Sequence, residues 1–270
     1  TNTSAMVALQ TLKSTNNSLG KVQGEISTGL RVATAKDNSS SWAIASTMNS
    51  DVGSFKKLGE SLTSASAMVG VARTATEQVA DLTRQIQEKV VQAQNPDADV
   101  DKLSADALAL TATITSIALS AQYNGINLVS NAGGAQNVTV SVTRSDAGVV
   151  GAQAFSTGTA DLEAVATALA AAVAPGAIGT AASLDAVDSE LDTVNTAAST
   201  FGAAQIRIDA QAEFLGKQMD ALKNGVGALV DADMEEASAR LTALQTQQQL
   251  GIQALSIANQ APQSVLSLFR

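Results

Sequence analysis

The sequence predicts a mainly α protein, an elongated hairpin-like bundle of long helices with terminal coiled-coil segments and a small β-containing insertion. Three patterns predict it. Apolar positions from Leu184 to Leu229 advance in alternating steps of three and four, and a second such run occupies Met234 to Ala258. Near the amino end, Leu12, Leu19 and Ile26 are spaced by sevens. An average step of about 3.5 residues keeps a single stripe turned toward a partner helix, which is the coiled-coil period.

Composition narrows the function classes. The chain has 270 residues, 45% of them hydrophobic, enough for one large domain or a long bundle. No run reaches the roughly 18 uninterrupted apolar residues of a membrane span, so the reading excludes a membrane. The opening Thr1-Asn2-Thr3-Ser4 lacks the basic start and apolar run of a cleavable secretory signal, so export, if it happens, uses another route. Formal charge is −9, and the 16 Lys and Arg are scattered singly, which speaks against nucleic acid as a partner.

Chemistry has few tools in this chain. There is no Cys and no His, which removes disulfides, thiol nucleophiles, the commonest general base and the commonest metal ligand. Gly216-Lys217 lacks the glycine spacing and the following Ser or Thr of a phosphate loop. The reading is therefore not an enzyme, with no catalytic, cofactor-binding or metal residues.

The elements follow in chain order. Leu9, Leu12, Leu19, Val22, Ile26 and Leu30 form one apolar stripe on a first helix that ends near Gly29. A polar linker containing Lys36-Asp37-Asn38-Ser39-Ser40-Ser41 precedes a helix from Trp42 to Gln92, which Asn95-Pro96-Asp97 breaks. A helix over about 99–121 stops before the turn signal Tyr123-Asn124-Gly125. Val138, Val140 and Val142 then alternate with polar neighbours as in a strand, and residues 160–174 read as an Ala-rich helix ended by Pro175-Gly176.

The strongest seam comes next. Leu184, Val187, Leu191, Val194, Ala198, Phe201, Gln205, Ile208, Ala212, Leu215, Met219, Leu222, Val226 and Leu229 describe one helix about 70 Å long at about 1.5 Å per residue. Gln205 is its single polar member. Asp231-Ala232-Asp233 breaks the phase, and Asp233 with Glu236 reads as a capping box opening the last helix. That helix carries Met234, Ala237, Leu241, Leu244, Gln248, Gly251, Leu255 and Ala258.

These breaks divide the chain into an amino-terminal coiled-coil segment (1–35), a first core half (36–130), a surface insertion with a β-hairpin (131–180), a long core helix (181–232) and a carboxyl-terminal coiled-coil segment (233–270). The six large apolar residues of the first segment yield on the order of 10 to 15 kcal/mol on burial. Ordering its ~30 residues costs on the order of 30 to 60 kcal/mol before hydrogen bonds are credited. Both ends are thus expected to be loose in an isolated copy and ordered when neighbouring copies cover them.

Several short motifs resemble bacterial flagellins. At the amino end they are Thr1-Asn2-Thr3, Ser27-Thr28-Gly29-Leu30-Arg31, Ala35-Lys36-Asp37, Ala43-Ile44-Ala45 and Gln122-Tyr123-Asn124-Gly125. At the carboxyl end they are Leu250-Gly251, Ala258-Asn259-Gln260 and Val265-Leu266-Ser267-Leu268-Phe269-Arg270. The resemblance covers about 1–130 and 181–270. It implies an inner coiled-coil layer from the two ends, a surrounding helical layer with a β-hairpin, and an outer insertion that is short here. It also implies a secreted subunit of the extracellular flagellum. Such a subunit passes unfolded through the type III export apparatus, and it polymerises with itself into the swimming filament.

Filament-assembly positions under this resemblance are Leu9, Leu12, Leu19, Val22, Ile26, Leu30, Leu241, Leu244, Leu255, Leu266, Leu268, Phe269 and Arg270. Partners implied are the filament cap, hook-junction proteins and an export chaperone. In flagellins sensed by the animal flagellin receptor, an Arg and a Leu stand where this chain has Gln85 and Lys89, and a Glu aligns with Asp106. The expected consequence is weak or no receptor activation. Ser156, Thr157 and Thr159 are possible sugar acceptors. The rival readings are a hook–filament junction protein and a flagellin-related surface adhesin.

Overall fold

The computed structural model describes residues 3–131, 133–144 and 150–267, with side chains described up to residue 260 except Arg144 and Val150. Helices dominate: α1 (Thr3–Thr28), α2 (Ser39–Ala93), α3 (Val100–Ser120), α4 (Leu162–Ala172), α5 (Ala181–Val230) and α6 (Met234–Ser267). Two antiparallel hairpins lie between α3 and α4 in sequence. They are β1 (Gln122–Tyr123) with β2 (Ile126–Asn127), and β3 (Asn137–Arg144) with β4 (Val150–Ser156). The fold is mainly α, and its residues group into two compact units, Thr1–Val52 with Asp220–Arg270, and Gly53–Met219. The divisions fall inside α2 and α5, not at the helix ends near 35 and 232.

The first unit is built on an antiparallel pair, α1 with α6. Ala5, Ala8, Leu12, Thr15, Leu19, Val22 and Ile26 are withdrawn from solvent on α1, again in steps of three and four, with Glu25 beside them. Gly251 lets the helices approach closely: a Cβ there would stand 3.2 Å from Leu12 Cδ1. One turn away, Gln248 Nε2 donates to Asn16 Oδ1 at 2.8 Å.

The linkers leaving α1 and α5 are clamped together. Leu30 and Asp231 form an antiparallel bridge, the Arg31 N–H donates to Val230 O at 2.7 Å, and Ala232 N–H donates to Gly29 O at 2.9 Å. The Arg31 guanidinium adds a bond to Leu229 O at 2.9 Å. Beneath the bridge, Val32, Ala45, Val226 and Val230 form a buried cluster with Leu30, Met48 and Leu229 against it. Asp37 accepts from the Thr34 N–H and hydroxyl, which holds its carboxyl below the usual range. Asn38 then caps α2 through the Ser41 N–H.

Capping of α6 is half of what the sequence suggests. Asp233 Oδ1 accepts from the N–H groups of Glu235 and Glu236. The reciprocal arm is absent among the described bonds, because the Glu236 carboxylate pairs with Arg240 one turn on.

The second unit has a seam denser than its sequence advertises. In α2, Phe55, Leu58, Leu62, Ala65, Val69, Ala72, Thr76, Val79, Thr83, Ile86, Val90 and Ala93 are all buried, in unbroken steps of three and four. Thr76 and Thr83 fit because each hydroxyl donates to the carbonyl one turn back, Ala72 O at 2.6 Å and Val79 O at 2.8 Å. In the 181–219 part of α5, Val187, Val194, Phe201, Ile208 and Leu215 are buried at intervals of seven.

α3 belongs to this unit as well. By length and average hydropathy α3 qualifies as a span, because its Ser and Thr interrupt the apolar run without lowering the mean much. It is a core helix instead, burying Leu103, Ser104, Ala107, Thr111, Ile114 and Ala118. α4 packs on it, and Ser104 Oγ donates to Val173 O at 2.7 Å. The second half of the expected insertion is thus part of the core, with Leu162, Val165 and Leu169 buried. Behind α4, Gly179 adopts φ +84 and passes so near the end of α2 that a Cβ would lie 2.6 Å from Ala93 O.

The hairpins differ from the sequence reading in two ways. β3 and β4 pair from Asn137↔Ser156 to Arg144↔Val150, but a register shift lies between Thr139 and Ser141. Of the three alternating valines only Val138 is buried, paired with buried Phe155. The turn signal at Asn124-Gly125 closes a hairpin of its own, β1–β2.

Candidate functional site

The α1 and α6 pair of the first unit is the part of the molecule whose structure is least self-sufficient. In 26 residues α1 buries only Val22, whereas α3 buries six residues in 21. Ala237 is the only residue buried among the described side chains of α6. A helix gains most of its stability in proteins from packing of an amphipathic face, and here each face is only half withdrawn from water.

Outside the shared stripe, both helices expose large apolar side chains. Met6, Val7 and Leu9 on α1 are 57–63% exposed, and Leu250, Ile252 and Ile257 on α6 are 55–69% exposed. Scattered exposed leucines are ordinary, but these six, with Met234 at 44% at the start of α6, leave a surface suited to burial against protein. Five of the six escaped the sequence reading, which followed the heptad stripe. The signal was present as apolar residues flanking the stripe.

Among the expected assembly positions, Leu12, Leu19, Ile26 and Leu30 are half-buried, and so are Leu241, Leu244 and Leu255; Val22 is fully buried. Leu9 is not in the stripe, since the turn that withdraws Ala5, Ala8 and Leu12 carries it outward. The Leu266 side chain and Leu268, Phe269 and Arg270 lie outside the described residues, as do Thr1 and Asn2.

Along α5, Leu184, Leu191, Met219, Leu222 and Leu229 are half-buried beside buried Val187, Val194, Phe201, Ile208, Leu215 and Val226. Ala212 alone of that series is exposed. Gln205, its polar member, donates from Nε2 to Ser66 Oγ at 2.5 Å and Asp209 Oδ1 at 3.3 Å, leaving its own Oε1 buried without a partner among the described residues.

The positions matched to receptor contacts come together in part. Lys89 Nζ pairs with Asp106 Oδ2 at 2.8 Å between α2 and α3, while Gln85 is exposed on α2. Of the possible sugar acceptors, Ser156 and Thr159 are exposed. Thr157 is buried, its hydroxyl accepting from the Gln136 N–H at 3.2 Å, so that expectation is corrected.

A polar groove of about 570 Å³ in the second unit is lined by Ser156, Asp192, Asn195, Thr196 and Arg207. Arg207 lies over the Phe155 ring at 4.2 Å from its centre. No group of three or more carboxylates placed to hold a metal occurs among the described residues.

The family described as "Bacterial flagellin N-terminal helical region" matches residues 1–133, and "Bacterial flagellin C-terminal helical region" matches residues 184–269. The flagellin of Brucella melitensis is 41% identical over 278 residues, covering 100% of this chain and 98% of its own length. Flagellin FljM of Caulobacter vibrioides is 38% identical, with 100% and 97% covered, and flagellin C of Rhizobium meliloti is 36% identical, with 100% and 98% covered. Among solved structures, a Bacillus cereus flagellin aligns over 66% of this chain and 93% of its own, with 16% identity and a TM-score of 0.37.

Proposed function

Because this chain belongs to the bacterial flagellin family, a family of structural subunits that build the extracellular motility filament, we propose that α1 and α6 are its assembly elements. In this reading residues 1–35 and 233–270 form the inner layer of the filament, and copies cover one another's exposed apolar faces. The observation that carries it is the contrast in burial: two helices of 26 and 34 residues with one buried residue each among those described.

Burial of side chains such as Leu9, Leu250 and Ile257 against neighbours gains about 1.5 to 3 kcal/mol each. Their burial adds to the stripe contacts that a single helix pair leaves half wet. Residues 36–130 and 181–232, together with α4, then serve as the core, and the β3–β4 hairpin as the outer surface. The junction-protein and adhesin readings are not favoured, since the relatives matching over the whole chain are flagellins.

Export belongs to the same proposal. The chain is held by an export chaperone, leaves the cell unfolded through the type III apparatus, and adds at the filament tip beneath a cap, beyond the hook-junction proteins. Its charge of −9 keeps unassembled copies apart. The test is seeded assembly: sheared filament fragments extend when purified chain is added, as seen by negative-stain imaging. A chain that stays dispersed at every concentration contradicts the proposal.

Weak activation of the animal flagellin receptor is part of the reading. Gln85 offers no cation, and Lys89 is tied to Asp106 where an apolar contact is needed. Losing an anchor costs about 2 kcal/mol or more at an interface hot spot. Reporter cells given purified monomer are expected to respond far less than to a flagellin carrying the Arg and Leu. An equal response removes this part of the proposal.

A further inference from the structure

Two Asn-Gly dipeptides occur in the chain, Asn124-Gly125 and Asn224-Gly225, and the fold treats them oppositely. Such a pair is chemically labile because glycine has no Cβ to hinder its nitrogen from reaching the preceding side-chain carbonyl. We propose that Asn124 is a site of spontaneous deamidation in the folded protein, and that Asn224 is protected.

The turn at Asn124 leaves the reacting groups open. Both residues have positive φ, 51 and 80, the pattern of a two-residue hairpin turn, and both are exposed. Neither the Asn124 side chain nor the Gly125 N–H has a hydrogen-bond partner among the described residues. The strands β1 and β2 that close the turn are two residues each, so the rotation that brings Gly125 N onto Asn124 Cγ disturbs few ladder bonds.

Asn224 has the same neighbour but sits within α5, where the Gly225 N–H is committed to the helix ladder. Reaction there requires that part of the helix to open first.

The step balances without an oxidant or cofactor. Gly125 N forms a bond to Asn124 Cγ, the Cγ–Nδ2 bond breaks, and the displaced amide nitrogen leaves as ammonia, carrying the proton from Gly125. Water then opens the cyclic imide at either carbonyl, giving Asp or isoAsp. The isoAsp product routes the main chain through the side-chain carboxyl and adds one atom between the paired residues Tyr123 and Ile126.

That addition falls at a junction. Next to the hairpin, Asn127 donates from Nδ2 to Ala118 O at 2.7 Å and accepts from the Val129 N–H at 2.9 Å, fixing the end of α3 to buried Leu128 and Val129. A shifted turn pulls on this clamp, so converted chains lose register where α3 meets the following segment.

The experiment ages the whole native chain in mildly alkaline buffer. Conversion is read at both sites by peptide mass spectrometry, and isoAsp by isoaspartyl-methyltransferase labelling. Conversion at Asn124 is expected to exceed that at Asn224 by more than about tenfold, the ratio that a modest difference in local opening produces. In denaturant the two sites should converge, and Asn124→Gln should abolish the label at that peptide. Equal conversion in the native chain overturns the proposal. So does an inert Asn124 in the native chain when both sites react in denaturant.

Discussion

A chain cut back to residues 36–232 is expected to stay dispersed under conditions in which the whole chain extends seeds. The cut removes α1 and α6 but leaves the entire second unit, Gly53–Met219, in place. It also removes Met6, Val7, Leu9, Leu250, Ile252 and Ile257, the six apolar residues of the pair that are more than half exposed, and exposed Met234. At about 1.5 kcal/mol or more for each such residue buried, and about 1.4 kcal/mol per tenfold, the concentration threshold for growth rises by far more than about 100-fold. Far-ultraviolet circular dichroism separates this outcome from misfolding, because the second unit should keep its helical signal. Extension at the normal threshold by the shortened chain would place the assembly contacts elsewhere.

Phe201→Ala is expected to be the most damaging single truncation in the second unit. Phe201 is fully buried in the α5 seam, and removing a buried phenyl ring costs about 3 to 5 kcal/mol. In a chain of this size that corresponds to a fall in melting temperature of about 6 to 20 °C. Phe214 supplies the control on the same helix: it is 57% exposed, and Phe214→Ala should change unfolding stability by about 0.5 kcal/mol or less in the monomer. Equal effects of the two substitutions in denaturant titrations would contradict the packing described for α5.

Much of this architecture is legible from residue spacing, and the exceptions have physical causes. The α5 seam could be read because Leu, Val, Ile and Phe occupy most of its inward positions. The α2 seam is as regular but partly hidden, since its inward positions include Ala65, Ala72, Thr76 and Thr83. Threonine registers as polar in a sequence, yet inside a helix it satisfies its hydroxyl on the preceding turn and packs through its methyl group. The same blindness concealed how apolar α3 is on average.

At the candidate site the stripe was readable, whereas the clamp between residues 29–32 and 229–232 was not. It depends on main-chain bonds from Arg31 and Ala232, which carry no side-chain signature. Leu9 lies three residues before Leu12, a spacing that fits the stripe on the sequence alone. The withdrawn positions Ala5, Ala8 and Leu12 fix a helical phase that turns it outward. Only the reciprocal arm of the capping box is missing among the described bonds, where Arg240 one turn along competes for the Glu236 carboxylate.

The claim beneath all of this is that α1 and α6 acquire their stability from neighbouring copies. Amide hydrogen exchange, measured on dilute monomer and on assembled filament, tests it most directly. The prediction is rapid exchange over residues 5–28 and 237–260 in the monomer, strong protection of the same amides in the filament, and protection of Val69, Val79 and Ile114 in both. Strong protection of α1 in the dilute monomer would show that the helix pair stands by itself, and would contradict the account.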